Sequence, residues 1–165
     1  MDGNDKVGIT FDFVNTVYDY VTYWNNKQGT ESTNHNFIGN SNLNDCLQPS
    51  GYVYENMPSN LMIFIKTINK KVDIYQENEW IESHYYTKLF PLSYDEIDGN
   101  DDGTYEYYKV DSKNRRKKHK EYWLRSPDTS SNDAAWYVAM DGSLKCDHYG
   151  IVCIIEYPVS LAFCI

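Results

Sequence analysis

Apolar and polar residues alternate over positions 7–13, which places Val7, Ile9, Phe11 and Phe13 on one face, the period-2 pattern of a half-buried strand. From Val14 the spacing lengthens to Val14, Val17, Tyr18, Val21 and Trp24, a helical stripe, so a helix ending near Asn25 is predicted behind that strand. Residues 25–42 are rich in Asn, Thr, Ser and Gly and read as a long surface loop, a class that in compact domains is functional or mobile. Residues 41–47 predict a short helix with Leu43, Cys46 and Leu47 inward, stopped by Pro49 and Gly51. A second helix starts at Pro58-Ser59, with Leu61, Met62, Ile65 and Ile68 at helical spacing. Ile63 and Phe64 make it apolar nearly all round, which predicts deep burial. Residues 72–75 read as a short strand.

Residues 88–92 have a strand pattern, and Ser93 is followed three positions later by Glu96, the spacing at which hydroxyl and carboxylate cap each other's backbone donors at a helix start. The turn at 98–103 ends that helix. From Tyr122 onward the chain reads as a set of short strands. Residues 136–140 alternate in β-favouring side chains, Asp141-Gly142 suits the positive φ of a two-residue hairpin turn, and 143–146 form the returning strand. Residues 150–157 predict a more buried strand, and Pro158 limits where the last one begins, so that the chain ends inside its sheet. Helical runs followed by runs of strands favour an α+β design with two or three helices on a small, largely antiparallel sheet and long loops.

The 165 residues fit one domain with a core of its own. Tyr dominates the aromatics, 16 against 6 Phe and 4 Trp, and its rigid face with a polar tip suits core edges and binding surfaces. The formal charge of −9 argues against a nucleic-acid platform or an anionic-membrane surface. No apolar run reaches the ~20 residues needed to span a bilayer, so no membrane insertion is expected. The polar N-terminus shows no signal-peptide h-region.

Candidate chemistry is sparse. Cys46, Cys146, Cys153 and Cys164 match neither zinc nor redox-pair spacing and read as small buried or half-buried residues. His35, His84, His119 and His148 are scattered, so no metal site and no cofactor is assigned. Residues 98–103 place oxygen side chains at the first, third and fifth positions of a calcium loop and Gly at the sixth, but Lys109 stands at the twelfth in place of Glu, and a solvated acidic turn is the default reading. The basic run 113–120 reads as a solvated loop paired with Asp98, Asp101 and Asp102. Arg125, flanked by Leu124 and Ser126, requires backbone carbonyls or a carboxylate around its guanidinium. Trp123 and Trp136 read as core or core-edge residues. No catalytic set is visible.

Tyr122-Trp123-Leu124-Arg125-Ser126-Pro127, the Trp136-Tyr137-Val138 strand, Asp141-Gly142 and the closing Ala162-Phe163-Cys164-Ile165 together resemble a family of bacterial and phage domains with a C-type-lectin-like fold close to that of formylglycine-generating enzyme. Many of its members are variable proteins of diversity-generating retroelements. Upstream, the stretch from Lys88-Leu89-Phe90-Pro91-Leu92 to Glu96 is similar to that family's strand and capped helix, and the likeness covers about residues 37–165. The resemblance implies a ligand-binding module whose diversified face lies at about residues 129–157, with a protein or cell-surface ligand and a place on a virion or cell surface. The contacts it implies are Tyr137, Ala139, Ser143, Asp147, His148 and Tyr149, exposed over a buried Trp123, Leu124 and Phe163. At least two of Ile151, Val152, Ile154 and Ile155 are expected to be buried. The family usually carries Gly-Val-Arg-Pro before its last strand, where this chain has Pro158-Val159-Ser160-Leu161. Two alternatives stay open: a cysteine-dependent enzyme using Cys146, Cys153 or His148, although Cys146 and Cys153 lack the oxidase relative's spacing, and a calcium-dependent carbohydrate binder.

Overall fold

The computed structural model describes residues 21–23, 25, 38, 41–76, 79–100, 103–130, 134–146 and 156–165. Among these the architecture is mixed α and β, with three small antiparallel sheets and six short helices. The expectations for residues 7–13, for the buried strand at 150–155 and for Asp147, His148 and Tyr149 lie outside the described residues.

The sheet that organises the molecule has the order β4-β5-β6, formed by β4 (Tyr122–Pro127), β5 (Ala135–Val138) and β6 (Leu144–Lys145). Successive side chains of a strand point to opposite faces, and here both faces are covered. Trp123, Ala135, Tyr137 and Ala139 enter one apolar cluster with Leu43, Leu47, Val53 and Phe163. Tyr122, Leu124 and Val138 enter a second with Phe90, Leu92, Ile97 and Ala162. The C-terminal tail is divided in the same way, with Val159, Leu161 and Phe163 on the first side and Ala162 and Cys164 on the second.

The β5–β6 hairpin forms where local chemistry predicts it, but its turn is one residue longer than expected. Gly142 N–H donates to Ala139 O at 2.8 Å and Ala139 N–H to Ser143 O at 2.9 Å, so Met140, Asp141 and Gly142 make a three-residue loop. Only Gly142 has a positive φ, +83°, in the arrangement of a turn followed by a left-handed bulge residue. A Cβ there would lie 1.9 Å from Lys113 O, so glycine also permits the tip to press against α6 (Ser112–Arg116). Arg116 fastens that contact from a buried position, donating through Nε to Gly142 O at 2.9 Å and through Nη1 to Ile97 O at 2.7 Å.

Several other elements depart from the pattern in the sequence. Val21–Tyr23, placed in a helix by periodicity, is a strand, β1, because it pairs with β7 (Glu156–Pro158). The supposed surface loop contributes buried Asn25, Ile38 and Ser41. α1 (Asn42–Asp45) forms as expected, with Ser41 as N-cap and Leu43, Cys46 and Leu47 inward, but a second helix, α2 (Tyr52–Glu55), follows it. The long buried helix from Pro58 is reduced to α3 (Ser59–Met62), and Ile63 and Phe64 are 79% and 68% exposed. Chain direction changes there because Lys66 N–H bonds Cys164 O at 2.9 Å and Ile68 opens the ladder of β2 (Ile68–Gln76) with β3 (Glu79–Thr87). Residues 88–92 make no strand, only an isolated antiparallel bridge between Phe90 and Ala162.

Candidate functional site

A cleft of about 340 Å³ opens where the β2 edge faces β4 and the start of α4 (Tyr94–Ile97). Its lining includes Ile68, Asn69, Lys70, Lys71 and Val72 of β2, Arg125, Ser126 and Pro127 of β4, and Tyr105 and Cys164.

Its floor is built on the capping box of α4. Ser93 N–H donates to Glu96 Oε2 at 2.9 Å and Glu96 N–H to Ser93 Oγ at 3.3 Å, which places the Glu96 carboxylate under the helix start. Arg125 N–H bonds Leu92 O at 3.0 Å, so β4 runs beside this segment and its guanidinium meets the carboxylate in two-pronged fashion, Nη1 to Oε2 at 2.5 Å and Nη2 to Oε1 at 2.7 Å. Arg125 Nη1 also donates to Pro91 O at 2.9 Å, which meets the requirement that the sequence set for this residue. Lys70 Nζ reaches Glu96 Oε1 at 2.8 Å and the Tyr105 hydroxyl at 2.8 Å, and that hydroxyl donates to Glu96 Oε1 at 2.8 Å.

Burial alone would disfavour the Glu96 anion, but Arg125 and Lys70 overcome it and hold the carboxyl well below the usual range. Burial, and then the Glu96 charge, push the Tyr105 hydroxyl up; burial raises Tyr85 as well, so both phenols are neutral. A carboxylate saturated with donors and this reluctant to take a proton does not serve as a general acid or base near neutral pH. The cluster holds two cations against one carboxylate, with the Lys70 ammonium 4.2 Å from the Phe90 ring centroid. Its chemistry is that of a charged, preorganised floor.

On the same sheet, the contacts that the resemblance implies separate. Tyr137 is 1% exposed and Ala139 is buried, which corrects the expectation that both lie on the surface. β5 is the central strand of its sheet, with Tyr137 and Ala139 in one apolar cluster and Val138 in the other, and only Trp136 on it is half-buried. Tyr137 packs beside Tyr157 with ring centroids 4.9 Å apart, and Trp123 lies 4.7 Å from Tyr157. Trp123, Leu124 and Phe163 are buried as expected. Ser143 is half-buried on the hairpin loop, where its backbone N–H donates to Asp141 Oδ1 at 2.9 Å. The Ser143 hydroxyl, which donates to the same oxygen at 2.5 Å, then that N–H and Lys113 draw the Asp141 carboxyl down. Met140, Asp141 and Lys145 are exposed around the β5–β6 hairpin, while Thr129 and Ser130, within the span that the resemblance marks as variable, are exposed at the opposite end of the β4–β5 pair, beyond Pro127.

The remaining motifs resolve into structural roles. Among the described residues Lys113 pairs with Asp141 at 2.9 Å, Arg115 donates to Tyr107 O, and Lys118 bonds Ser160 Oγ at 2.9 Å. Asp98 contributes its carbonyl to Arg116 at 3.0 Å, while its carboxylate takes a 3.2 Å bond from Asn100. Among the described residues no group of His, Cys, Asp and Glu is placed to hold a metal ion; Asp101 and Asp102 lie outside them. Burial, with Asp45 beside it, pushes the Cys46 thiol up to about 12, so it is not a nucleophile at neutral pH. Cys164 is also buried and Cys146 is half-buried.

No helix among the described residues is long and apolar enough to cross a membrane. Comparison with curated proteins and with solved structures finds no match. Residues 9–165, nearly the whole chain, match Domain of unknown function (DUF6273), and the chain belongs to that family.

Proposed function

We propose that this chain is a ligand-binding module on a C-type-lectin-like scaffold, a variable protein of the diversity-generating retroelement kind, whose contacts are carried by the loops between β4 and β7. The observation that carries this reading is the Arg125–Glu96 brace, 2.5 Å and 2.7 Å. It joins the two segments on which the resemblance rests, one around Glu96 and one around Arg125, into a fixed frame at the point where the loop-bearing region begins. Binding surfaces of this design need such a frame, because loops present contacts with little ordering cost only when their ends are held.

The contact set is revised by burial. Tyr137 and Ala139 belong to the frame; Ser143 remains, joined by Met140 on the same hairpin, Asp147, His148 and Tyr149 complete the proposed face, and Thr129 and Ser130 are a second exposed part of the variable span at the other end of β4. The ligand class is a protein or cell-surface molecule, in keeping with a virion or cell-surface location. The test is genetic and direct. Sequencing this gene in many sister clones should show substitutions at adenines concentrated in codons 129–155 but absent from codons 137 and 139, beside a reverse transcriptase and a near-copy of the gene's 3′ end. Substitutions spread evenly along the gene, or concentrated at 137 and 139, overturn it.

A further inference from the structure

We infer that the turn at Ile63-Phe64 is a membrane-contact site, independent of the loop face, which buries these two side chains in the interface of an anionic lipid surface. The stretch from Pro58 to Ile68 has helical apolar spacing, yet its side chains divide. Leu61 and Met62 pack against the first apolar cluster and Ile65 is buried, whereas Ile63 and Phe64 are 79% and 68% exposed. The backbone fixes that division. Leu61 and Met62 N–H both bond Pro58 O, at 2.9 and 3.1 Å, Phe64 N–H bonds Leu61 O at 3.0 Å, and Lys66 N–H bonds Cys164 O at 2.9 Å. The turn is tied on both sides, so its two apolar side chains are held outward and bind with little ordering cost.

Size selects the kind of surface. Ser59, Asn60, Lys66 and Thr67, the exposed residues on either side in sequence, are polar and do not extend the apolar pair. Two side chains in such a surround fall far short of the roughly 800 Å² per partner that a standard protein interface buries. A lipid surface requires no matching shape. It takes up a small element through the apolar area that enters the headgroup layer and the attraction of neighbouring basic residues to anionic lipid.

Charge selects the lipid. Between Glu55 and Asp73 the chain carries Lys66, Lys70 and Lys71 and no carboxylate. Glu96 and Glu82 engage Lys70 and Lys71, which leaves the attraction to two other lysines. Lys66 is exposed, lies two positions from Phe64 and stands outside every ion pair among the described residues. Lys88 Nζ donates to Met62 O at 3.3 Å, a neutral acceptor, which sets a second ammonium against the base of the turn. The formal charge of −9 disfavours a membrane platform over the whole surface, but charges more than about 8–10 Å away are screened at physiological salt, so the balance around the turn decides.

The test is co-sedimentation of the full chain with phosphatidylcholine vesicles, made with or without phosphatidylglycerol. The chain should sediment with the anionic vesicles at low salt, and about fivefold less with neutral vesicles or at high salt. On anionic vesicles the double variant I63S/F64S should bind about tenfold less, and K66E and K88Q should each bind about fivefold less. V110S, at an exposed apolar residue elsewhere, should bind as the native chain does, with folding of every variant checked by circular dichroism. F64W gives a direct readout of depth: its added fluorescence should shift to the blue on anionic vesicles and be quenched by brominated acyl chains. No sedimentation with anionic vesicles, equal sedimentation with neutral ones, or an F64W signal that vesicles leave unchanged overturns the inference. So does a dimer in sedimentation equilibrium that I63S/F64S dissociates, which would assign the turn to a second copy of the chain.

Discussion

Arg125 stands in a strand between the buried Leu124 and the half-buried Ser126, and its guanidinium is desolvated on every side. A charge in that position stabilises the fold only through its partners, and the converse is a sharp prediction. R125M leaves Glu96 without its main counter-ion and should cost about 3–5 kcal/mol, read as a fall in urea midpoint. E96Q should cost a comparable amount, and the double variant should lose less than the two together, because each single change strands the other's charge. The same pair sets the acid limit. Glu96 has its pKa depressed in the folded state from an ordinary 4.5, so the unfolded chain takes up its proton first as pH falls. Its contribution is therefore whole above about pH 5 and lost progressively below it. Stability measured from about pH 5 to pH 2 should fall steeply in the native protein and less steeply in E96Q; parallel curves would remove Glu96 from that role. The need for backbone carbonyls or a carboxylate around Arg125 was legible in the residue itself. The identity of those partners was not, because the Leu92–Arg125 backbone contact that delivers Glu96 is a tertiary event.

Elements whose signals are local were legible, and those whose partners lie far along the chain were not. Ser93 and Glu96 cap α4 three residues apart, and the Asp141-Gly142 hairpin closes on its own neighbours. β1 is held by β7 near the other end of the chain, and no periodicity within Val21–Tyr23 carries that information. Of the β2–β3 ribbon only residues 72–75 read as strand in the sequence, since the rest is largely polar, with Lys70-Lys71 facing Tyr85 and His84, and carries no clean alternation. Residues 58–68 mislead in the opposite sense: their apolar stripe is real, but the chain turns at Lys66 and leaves Ile63 and Phe64 outside. The hairpin tip carries the prediction at this scale. G142A places a methyl group against Lys113 O at a left-handed φ, and should cost well over ~1 kcal/mol. M140S, on the same loop but exposed, should stay within about 0.5 kcal/mol. Equal melting temperatures for the two variants would show that the tip does not depend on its α6 contact.

At the scale of the whole molecule, the sheet β4-β5-β6 is a partition with an apolar cluster on each side, and that decides where a variable surface can lie. Resemblance alone points to Tyr137 and Ala139 as contacts. The opposite side of this strand is occupied as well, by Val138 against Leu124 and Ala162. A central strand covered twice has no tolerant position, so Y137A should lose about 3–5 kcal/mol from cavity and transfer terms. Enlarging Ala139 to Leu should lose about 1–3 kcal/mol by overpacking. Thr129, Ser130, Met140 and Ser143 displace no core volume when changed. A scan of single substitutions over 129–146, read by protease resistance of displayed protein, should therefore drop at 137–139 and remain near the native level at 129, 130, 140 and 143. If 137 and 139 tolerate charged residues while 140 and 143 do not, the face lies on β5 and the two-sided core is not the frame.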